Sequence, residues 1–307
     1  MNDLPPKNLS ASVHQRLLNN ARKTGRPFNE VLKFFCMERF LYRLSKSSLA
    51  DTFVLKGALL FRAWDTPDRR PTMDIDLLGY TNNATEGISR AIQKICITQV
   101  EPDGIEFEPD TVKSTVIKED AEYQGVRSLF QGRLGNARIP MQIDVGFGDV
   151  IHPHALEINY PAILEFPAAR LRVYSLESVV AEKVEAMVQL GRLNSRMKDF
   201  YDVWLCARHY DFLGTSLVAA IQHTFANRGT QPTPFTEIQI EIHNNPHLHA
   251  QWQGFCRKSN IHKLDQFESL EPVLQRFLER PLDAVQSGTT FEMRWAAPGP
   301  WQDVQHS

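Results

Sequence analysis

The segment Arg70-Pro71-Thr72-Met73-Asp74-Ile75-Asp76-Leu77-Leu78 places two carboxylates two residues apart in a short apolar run. In a β-strand, alternation puts Asp74 and Asp76 on one face. Two acids that close repel unless a cation lies between them. A hard divalent ion such as Mg²⁺, or Mn²⁺ in its place, answers that need with carboxylate and phosphate oxygens. The bland alternative is a strand whose wet side carries both acids. A third acid, Asp144, interrupts the apolar run Ile139-Pro140-Met141-Gln142-Ile143-Asp144-Val145. Gly57, the Asp74/Asp76 pair and Asp144 are together the parts of a two-metal phosphoryl-transfer site. The glycine would let backbone N–H groups approach a phosphate at the start of a helix. Asp149, bracketed by glycine in Gly146-Phe147-Gly148-Asp149, competes for the third position. A loop acid beside glycine is more often a turn residue, so Asp144 is preferred.

Lys183 is the next chemically unusual residue. On a helix from Leu176, the side chains of Leu176, Val180, Val184 and Met187 form an apolar face that includes Lys183, with Glu182, Glu185 and Gln189 opposite. A lysine there needs an anionic ligand, a buried carboxylate, or a stem that reaches out to water. With a nucleotide phosphate as partner, Lys183→Met should leave stability unchanged or raise it. The following helix carries Lys198-Asp199-Phe200-Tyr201-Asp202, with Asp199 and Asp202 on one side as i, i+3 neighbours. Arg192, Arg196 and Lys198 cluster just before it, as a solvated face or as a phosphate or RNA contact. His243, His247 and His249 lie around Asn244-Asn245-Pro246 and read as a polar loop, because their spacing suits no ligand helix.

The elements that must position these residues follow from pattern. Helices are expected from Ser10 or Ser12 as cap through Leu18, and from Asn29 through Leu44. Phe53-Val54-Leu55 reads as a strand, with a helical stretch from Gly57 to Trp64 and another helix from Glu86 to Cys96. Val112–Ile117, Val126–Leu134 and Arg138–Phe147 read as strands, the last two joined at Gly135-Asn136 as a hairpin. Pro140 argues that its strand begins at an edge or just after it. Later helices are expected at Leu176–Leu190, Met197–Arg208 and Val273–Leu278. This order predicts an α+β protein: N-terminal helices over 1–45, a mixed-sheet core over 46–165, a helical domain over 166–287 and a loosely ordered tail over 288–307.

The 307 residues suffice for one large core or two ordinary ones, and 42% hydrophobic with 23% charged residues is a folded composition. A formal charge of −2 excludes a generally basic coat, though not a basic patch. Cys36, Cys96, Cys206 and Cys256 are far apart and read as reduced thiols. The first residues lack the apolar core of a signal peptide, and no apolar run approaches the ~20 residues of a membrane span. A cytoplasmic location with no membrane partner is expected.

With Phe53-Val54-Leu55-Lys56-Gly57-Ala58-Leu59-Leu60, Thr72-x-Asp74-x-Asp76, Asp144, Lys183 and Ser195-Arg196-Met197-Lys198-Asp199-Phe200-Tyr201-Asp202 in this order, the chain resembles the AbiEii/AbiGii toxin family of nucleotidyltransferases, in the DNA polymerase β-like superfamily. The resemblance runs from about Ser10 to His209. It implies a bilobed fold with a polymerase-β-like core and a mainly helical C-terminal lobe. It implies NTP and Mg²⁺ as ligands, and a toxin of a toxin–antitoxin or phage-defence pair with a cognate antitoxin encoded beside it. Related toxins add nucleotides to the tRNA acceptor end and stop translation. The resemblance assigns Lys56, Gly57, Ala58, Thr72, Lys183 and Asp202 to the nucleotide. It assigns Asp74, Asp76 and Asp144 to the metal, and Lys183 and Asp199 to the catalytic arrangement. Ala58 stands where many relatives carry Ser, which removes one triphosphate contact and leaves backbone N–H groups to hold it. Other readings of the same residues are transfer to a protein, a nucleotide-binding partner without turnover, a metal nuclease, and a D-x-D glycosyltransferase. The last would want a nucleotide-binding βαβ unit before the motif, where this chain reads helical.

Overall fold

The computed structural model describes residues 8–67, 69–118, 124–261, 264 and 266–304. The chain divides into two compact units. The first takes in the described residues of Met1–Trp64, Pro71–Gly148 and Leu156–Val173. Its elements are α1 (Leu9–Thr24), α2 (Phe28–Lys46), β1 (Phe53–Lys56), a 3-10 turn (Gly57–Leu59), α3 (Leu60–Ala63), β2 (Ile75–Gly79), α4 (Thr85–Cys96), β3 (Ile105–Lys118), β4 (Gln124–Leu134), β5 (Ala137–Phe147), β6 (Leu156–Tyr160) and β7 (Ala169–Val173). The seven strands form one mixed sheet in the order β3-β4-β5-β2-β1-β7-β6. β2 runs parallel to β5 and β1 parallel to β7, while the other neighbours are antiparallel.

The mixed sheet and its helices make this an α+β fold, as the pattern predicts. Helix α1 is capped by Asn8, whose side chain accepts from the Ala11 N–H at 3.0 Å, and not by Ser10 or Ser12. One face of the sheet is apolar: Ile75 and Leu77 of β2, Val126 and Phe130 of β4, and Met141, Ile143 and Val145 of β5 are all buried. Helices α2 and α4 pack on the sheet. Helix α2 is buried along Glu30–Leu44, not on one stripe. Its charges are tolerated because they are paired. Arg43 grips both oxygens of Asp103 at 2.7 and 3.1 Å and donates to the Ile105 carbonyl. Glu38 accepts from the Ile163 N–H at 2.7 Å and lies 2.8 Å from Arg39.

Pro140 fits where it stands. β2 begins to pair with β5 only at Ile143, so around Pro140 the strand is laddered to β4 alone among the described residues. The expected boundary at 165/166 falls inside the β6–β7 hairpin. That pair closes the sheet's far side and was not foreseen, because its short strands are separated by a proline-containing loop without alternation.

The second unit takes in the described residues of Asp65–Arg70, Asp149–Ala155 and Tyr174–Ser307. It contains α5 (Leu176–Leu190), α6 (Met197–His209), β8 (Phe212–Leu213), α7 (Gly214–Arg228), α8 (Phe235–His243), α9 (Leu248–Ser259), α10 (Glu271–Ser287), β9 (Met293–Trp295) and β10 (Trp301–Asp303). Ser175 caps α5 by accepting from the Ser178 N–H at 3.2 Å. Helix α10 is far longer than the expected Val273–Leu278, with Pro281 inside it.

The stretch expected to be a loose tail is corrected over its described residues. β9 and β10 join β8 in a three-stranded sheet. Trp301 stacks on Phe277 with ring centroids 5.9 Å apart, and the Trp295 indole N–H donates to the Ala207 carbonyl at 2.7 Å. Burying two indoles with satisfied N–H groups outweighs the looseness that Pro298 and Pro300 suggest. The four cysteines are buried free thiols. Among the described residues no helix is long and apolar enough to cross a membrane.

Candidate active site

Strand register assembles the acid cluster. Asp76 on β2 lies opposite Asp144 on β5, and Lys56 at the end of β1 lies opposite Asp76. Asp74 precedes β2 by one residue, and alternation brings it round to the side of Asp76. A ligand oxygen from each of Asp74, Asp76 and Asp144 lies within 4.8 Å of the others. Asp144 is 5% exposed and the other two are half-buried. The Thr72 hydroxyl donates to Oδ1 of Asp74 at 2.5 Å, which fixes that carboxylate's rotamer. Three hard oxygen donors converging from two strands suit Mg²⁺ or Mn²⁺.

Gly57 is positioned by necessity. Its φ is +75°, and a Cβ there would lie 2.0 Å from Oδ2 of Asp76. The glycine therefore makes room for the carboxylate, whatever it does for a phosphate. Ala58, next along, is buried in the 3-10 turn.

Two cations beside the acids were missed. Arg127 on β4 lies opposite Asp144 and grips it with both arms: Nε to Oδ1 at 2.8 Å and Nη2 to Oδ2 at 2.7 Å. The bond to Asp144 holds the Arg127 guanidinium's proton even more tightly than usual, with Asp74 and Asp76 adding to it. Gln142 also donates to Oδ2 of Asp144, at 3.2 Å. Lys33 of α2 donates to the Pro140 carbonyl on the half-laddered part of β5, 3.8 Å from the Met141 sulfur. Burial pulls its pKa down, and the Asp74 charge partly restores it. Arg127 was legible. The two-residue turn pairs Leu134 with Ala137, and counting seven residues outward on each strand reaches Arg127 and Asp144. Lys33 left no such signal in the sequence.

In the second unit, Lys183 is neither solvent-seeking nor alone. Its Nζ lies 2.9 Å from Oδ1 of Asp199 and 2.7 Å from Oδ2 of Asp202. Arg70 meets Asp202 bidentately, at 3.0 and 2.9 Å. Asp202 is fully buried. Burial alone would push Lys183 down, but Asp199 and Asp202 overcome it and hold the ammonium well above its usual range. Burial likewise works against the Asp202 carboxylate, and Arg70 with Lys183 keeps it below the ordinary value. The reason for a lysine on this apolar face is thus a buried carboxylate, doubled.

Arg192 and Lys198 are exposed, and Arg196 is half-buried at the N-cap of α6. Asp149 belongs to a different network: Arg228 binds it at 3.0 Å, Glu182 at 3.5 Å and Glu185 at 2.7 Å, and the Tyr174 hydroxyl donates to it at 3.2 Å. Glu185 is thus buried on an ion pair, not on a solvated face of α5. His243 pairs with Glu271 at 2.8 Å and His249 with Glu268 at 3.6 Å.

A mixed sheet presenting a converging acid triad beside a glycine turn has the makings of a metal-dependent nucleotidyl-transfer centre. The chain belongs to the AbiEii nucleotidyl transferase toxin family of type IV toxin–antitoxin systems, whose pattern matches residues 39–280. It is a nucleotidyltransferase of that family. No curated protein matches it. Among solved structures, JHP933 from Helicobacter pylori is 12% identical with a TM-score of 0.45, over 84% of this chain and 92% of that one. A candidate nucleotidyltransferase from H. pylori is 13% identical with a TM-score of 0.46, over 84% of this chain and 95% of that one. Family membership rests on the sequence match and not on these two structures.

Proposed function

We propose that the protein transfers nucleotides from NTP to an RNA 3′ end, the tRNA acceptor end foremost, in a Mg²⁺-dependent reaction that blocks translation in the cytoplasm. The observation that carries this reading is the acid triad: three carboxylates within 4.8 Å on adjacent strands. Bound Mg²⁺ would supply charge neutralisation at the α-phosphate and ease deprotonation of the attacking hydroxyl.

The chain's own groups have separable tasks in this reading. Asp74, Asp76 and Asp144 hold the metal, with Thr72 keeping Asp74 oriented. Gly57 and its neighbours Lys56 and Ala58 offer backbone N–H groups to the triphosphate. In the second unit, Asp199 and Asp202 take up the Lys183 ammonium and hold it in place. Arg192, Arg196 and Lys198 offer phosphate contacts to RNA. Positioning and electrostatics supply most of the acceleration, because the displacement itself needs little covalent help. The antitoxin is expected from a neighbouring reading frame.

The test is expression of the chain alone, with labelled NTP supplied to the lysate. Growth arrest with label in tRNA supports the reading. Label in a polypeptide would keep the nucleotidyltransferase and replace the acceptor. Label in neither, at wild-type growth, would overturn the proposal.

A further inference from the structure

The third carboxylate of the triad already holds a cation. Arg127 takes both oxygens of Asp144 in a fork, and Gln142 takes Oδ2 as well. A divalent ion needs the same lone pairs. Three clustered carboxylates repel, and a guanidinium among them offsets part of that repulsion in the metal-free protein. The Arg127 side chain is 39% exposed, so it can leave Asp144 without being buried unpaired.

Where Arg127 can go is set by strand order. Gly57 follows β1, and Asp76, Asp144 and Arg127 succeed one another on β2, β5 and β4. Three strand spacings separate β1 from β4, roughly 14 Å. A triphosphate held at Gly57 therefore lies on one flank of the acids and Arg127 on the other. The attacking strand must approach on that second flank. Alternation continues the Arg127 face outward through Leu129 and Gln131 of β4 and Lys113 of β3. Leu129 is 49% exposed, and Lys113 is exposed beside it. Glu106 and Glu108, on the same face, are matched there by Arg133 and Arg138, with Arg133 3.2 Å from Glu108. What remains is a cationic, partly apolar surface, which suits the phosphates and bases of a single strand.

We propose that Arg127 is an exchangeable counter-ion: it holds Asp144 until a divalent cation takes that carboxylate, and its guanidinium then binds a backbone phosphate of the acceptor polynucleotide. This rests on the metal-binding reading of Asp74, Asp76 and Asp144 given above. It gives Arg127 opposite effects on two ligands, since it competes with the metal and attracts the acceptor.

The experiment measures Mn²⁺ binding by electron paramagnetic resonance and RNA binding across a salt series. The proteins are wild type, Arg127→Ala, Arg127→Lys and Asp76→Asn. Arg127→Ala should bind Mn²⁺ about five- to tenfold tighter without nucleotide, as the loss of a partly exposed charged fork implies. NTP affinity should stay within about twofold, while the RNA salt slope should fall by about 0.7, one phosphate's share for a single strand. Arg127→Lys keeps the charge but not the fork, so its Mn²⁺ affinity should rise and its RNA slope stay put. This variant carries the test if the alanine variant does not fold. Mn²⁺ binding that depends on Asp76 but ignores Arg127 overturns the counter-ion role alone. A salt slope unchanged in Arg127→Ala overturns the acceptor role. No Mn²⁺ binding in wild type or either Arg127 variant overturns the metal reading and this proposal with it.

Discussion

Gly57 and Asp76 stand so close that a single methyl group on the glycine would lie 2.0 Å from the aspartate's Oδ2. Gly57 follows Lys56, the residue opposite Asp76 on the β1–β2 ladder, and adopts a left-handed φ of +75°. Gly57→Ala should therefore cost about 1–3 kcal/mol of stability through backbone strain. It should also displace the Asp76 carboxylate, and a misplacement of that order costs transfer about a hundredfold. A melting curve and a nucleotide-incorporation assay check both. Wild-type activity in this variant would mean that the Asp76 position is not critical.

The three acids differ in what they leave behind. Asp74→Asn and Asp76→Asn should fold as well as wild type, because each relieves like-charge repulsion in the metal-free protein. Asp144→Asn weakens the Arg127 fork, but Arg127 is exposed enough to turn to water, so the loss should stay below about 1 kcal/mol. Urea unfolding of the three variants distinguishes this from a structural role, in which all three would be destabilised by more.

Lys183 reverses an expectation. An ammonium on a packing face suggested that Lys183→Met would be neutral or stabilising. Since Lys183 holds Asp199 and the fully buried Asp202, its removal should instead cost about 3–5 kcal/mol by leaving buried negative charge under-compensated. Arg70 still covers Asp202, so the protein should fold at low temperature. Thermal denaturation decides it, and an unchanged midpoint would show that the cluster contributes no net stability.

Stability should also carry a signature of Glu38. Burial raises its carboxyl to about 7, against the opposing Arg39 charge and the Ile163 N–H bond. The folded state then keeps a proton that the unfolded chain releases near 4.5, so this contribution is present at low pH. It is lost as pH rises from about 4.5 through about 7, by at most about 3 kcal/mol. Glu38→Gln cannot ionise, so its stability relative to wild type should improve between pH 5 and pH 8. A constant difference across that range would show that Glu38 titrates alike in both states.

Much of this architecture is legible in the sequence where one physical signal dominates. Helix α5 spans Leu176–Leu190 as its apolar periodicity implies, and the turn at Gly135-Asn136 sets the β4–β5 register. The same register brought Arg127 to Asp144, a consequence that needed only counting. Other features have no local signal. β6 and β7 are short strands whose pairing is decided by the sheet edge. Trp295 and Trp301 order a proline-rich segment through contacts with Phe277 and Ala207, far away in sequence. Lys183 could be singled out by its place on an apolar face, but its partners Asp199 and Asp202 lie on the next helix, and only the packing of α5 against α6 brings them to its ammonium.

Asp74, Asp76 and Asp144 should carry metal-dependent nucleotidyl transfer. The most direct measurement incubates purified protein with tRNA, Mg²⁺ and NTP labelled at the α-phosphate, for wild type and Asp76→Asn side by side, each with and without a chelator. Label is expected at the tRNA 3′ end with wild type and Mg²⁺, and none with Asp76→Asn or chelator. Equal labelling by the folded Asp76→Asn variant, or labelling that survives the chelator, would contradict it.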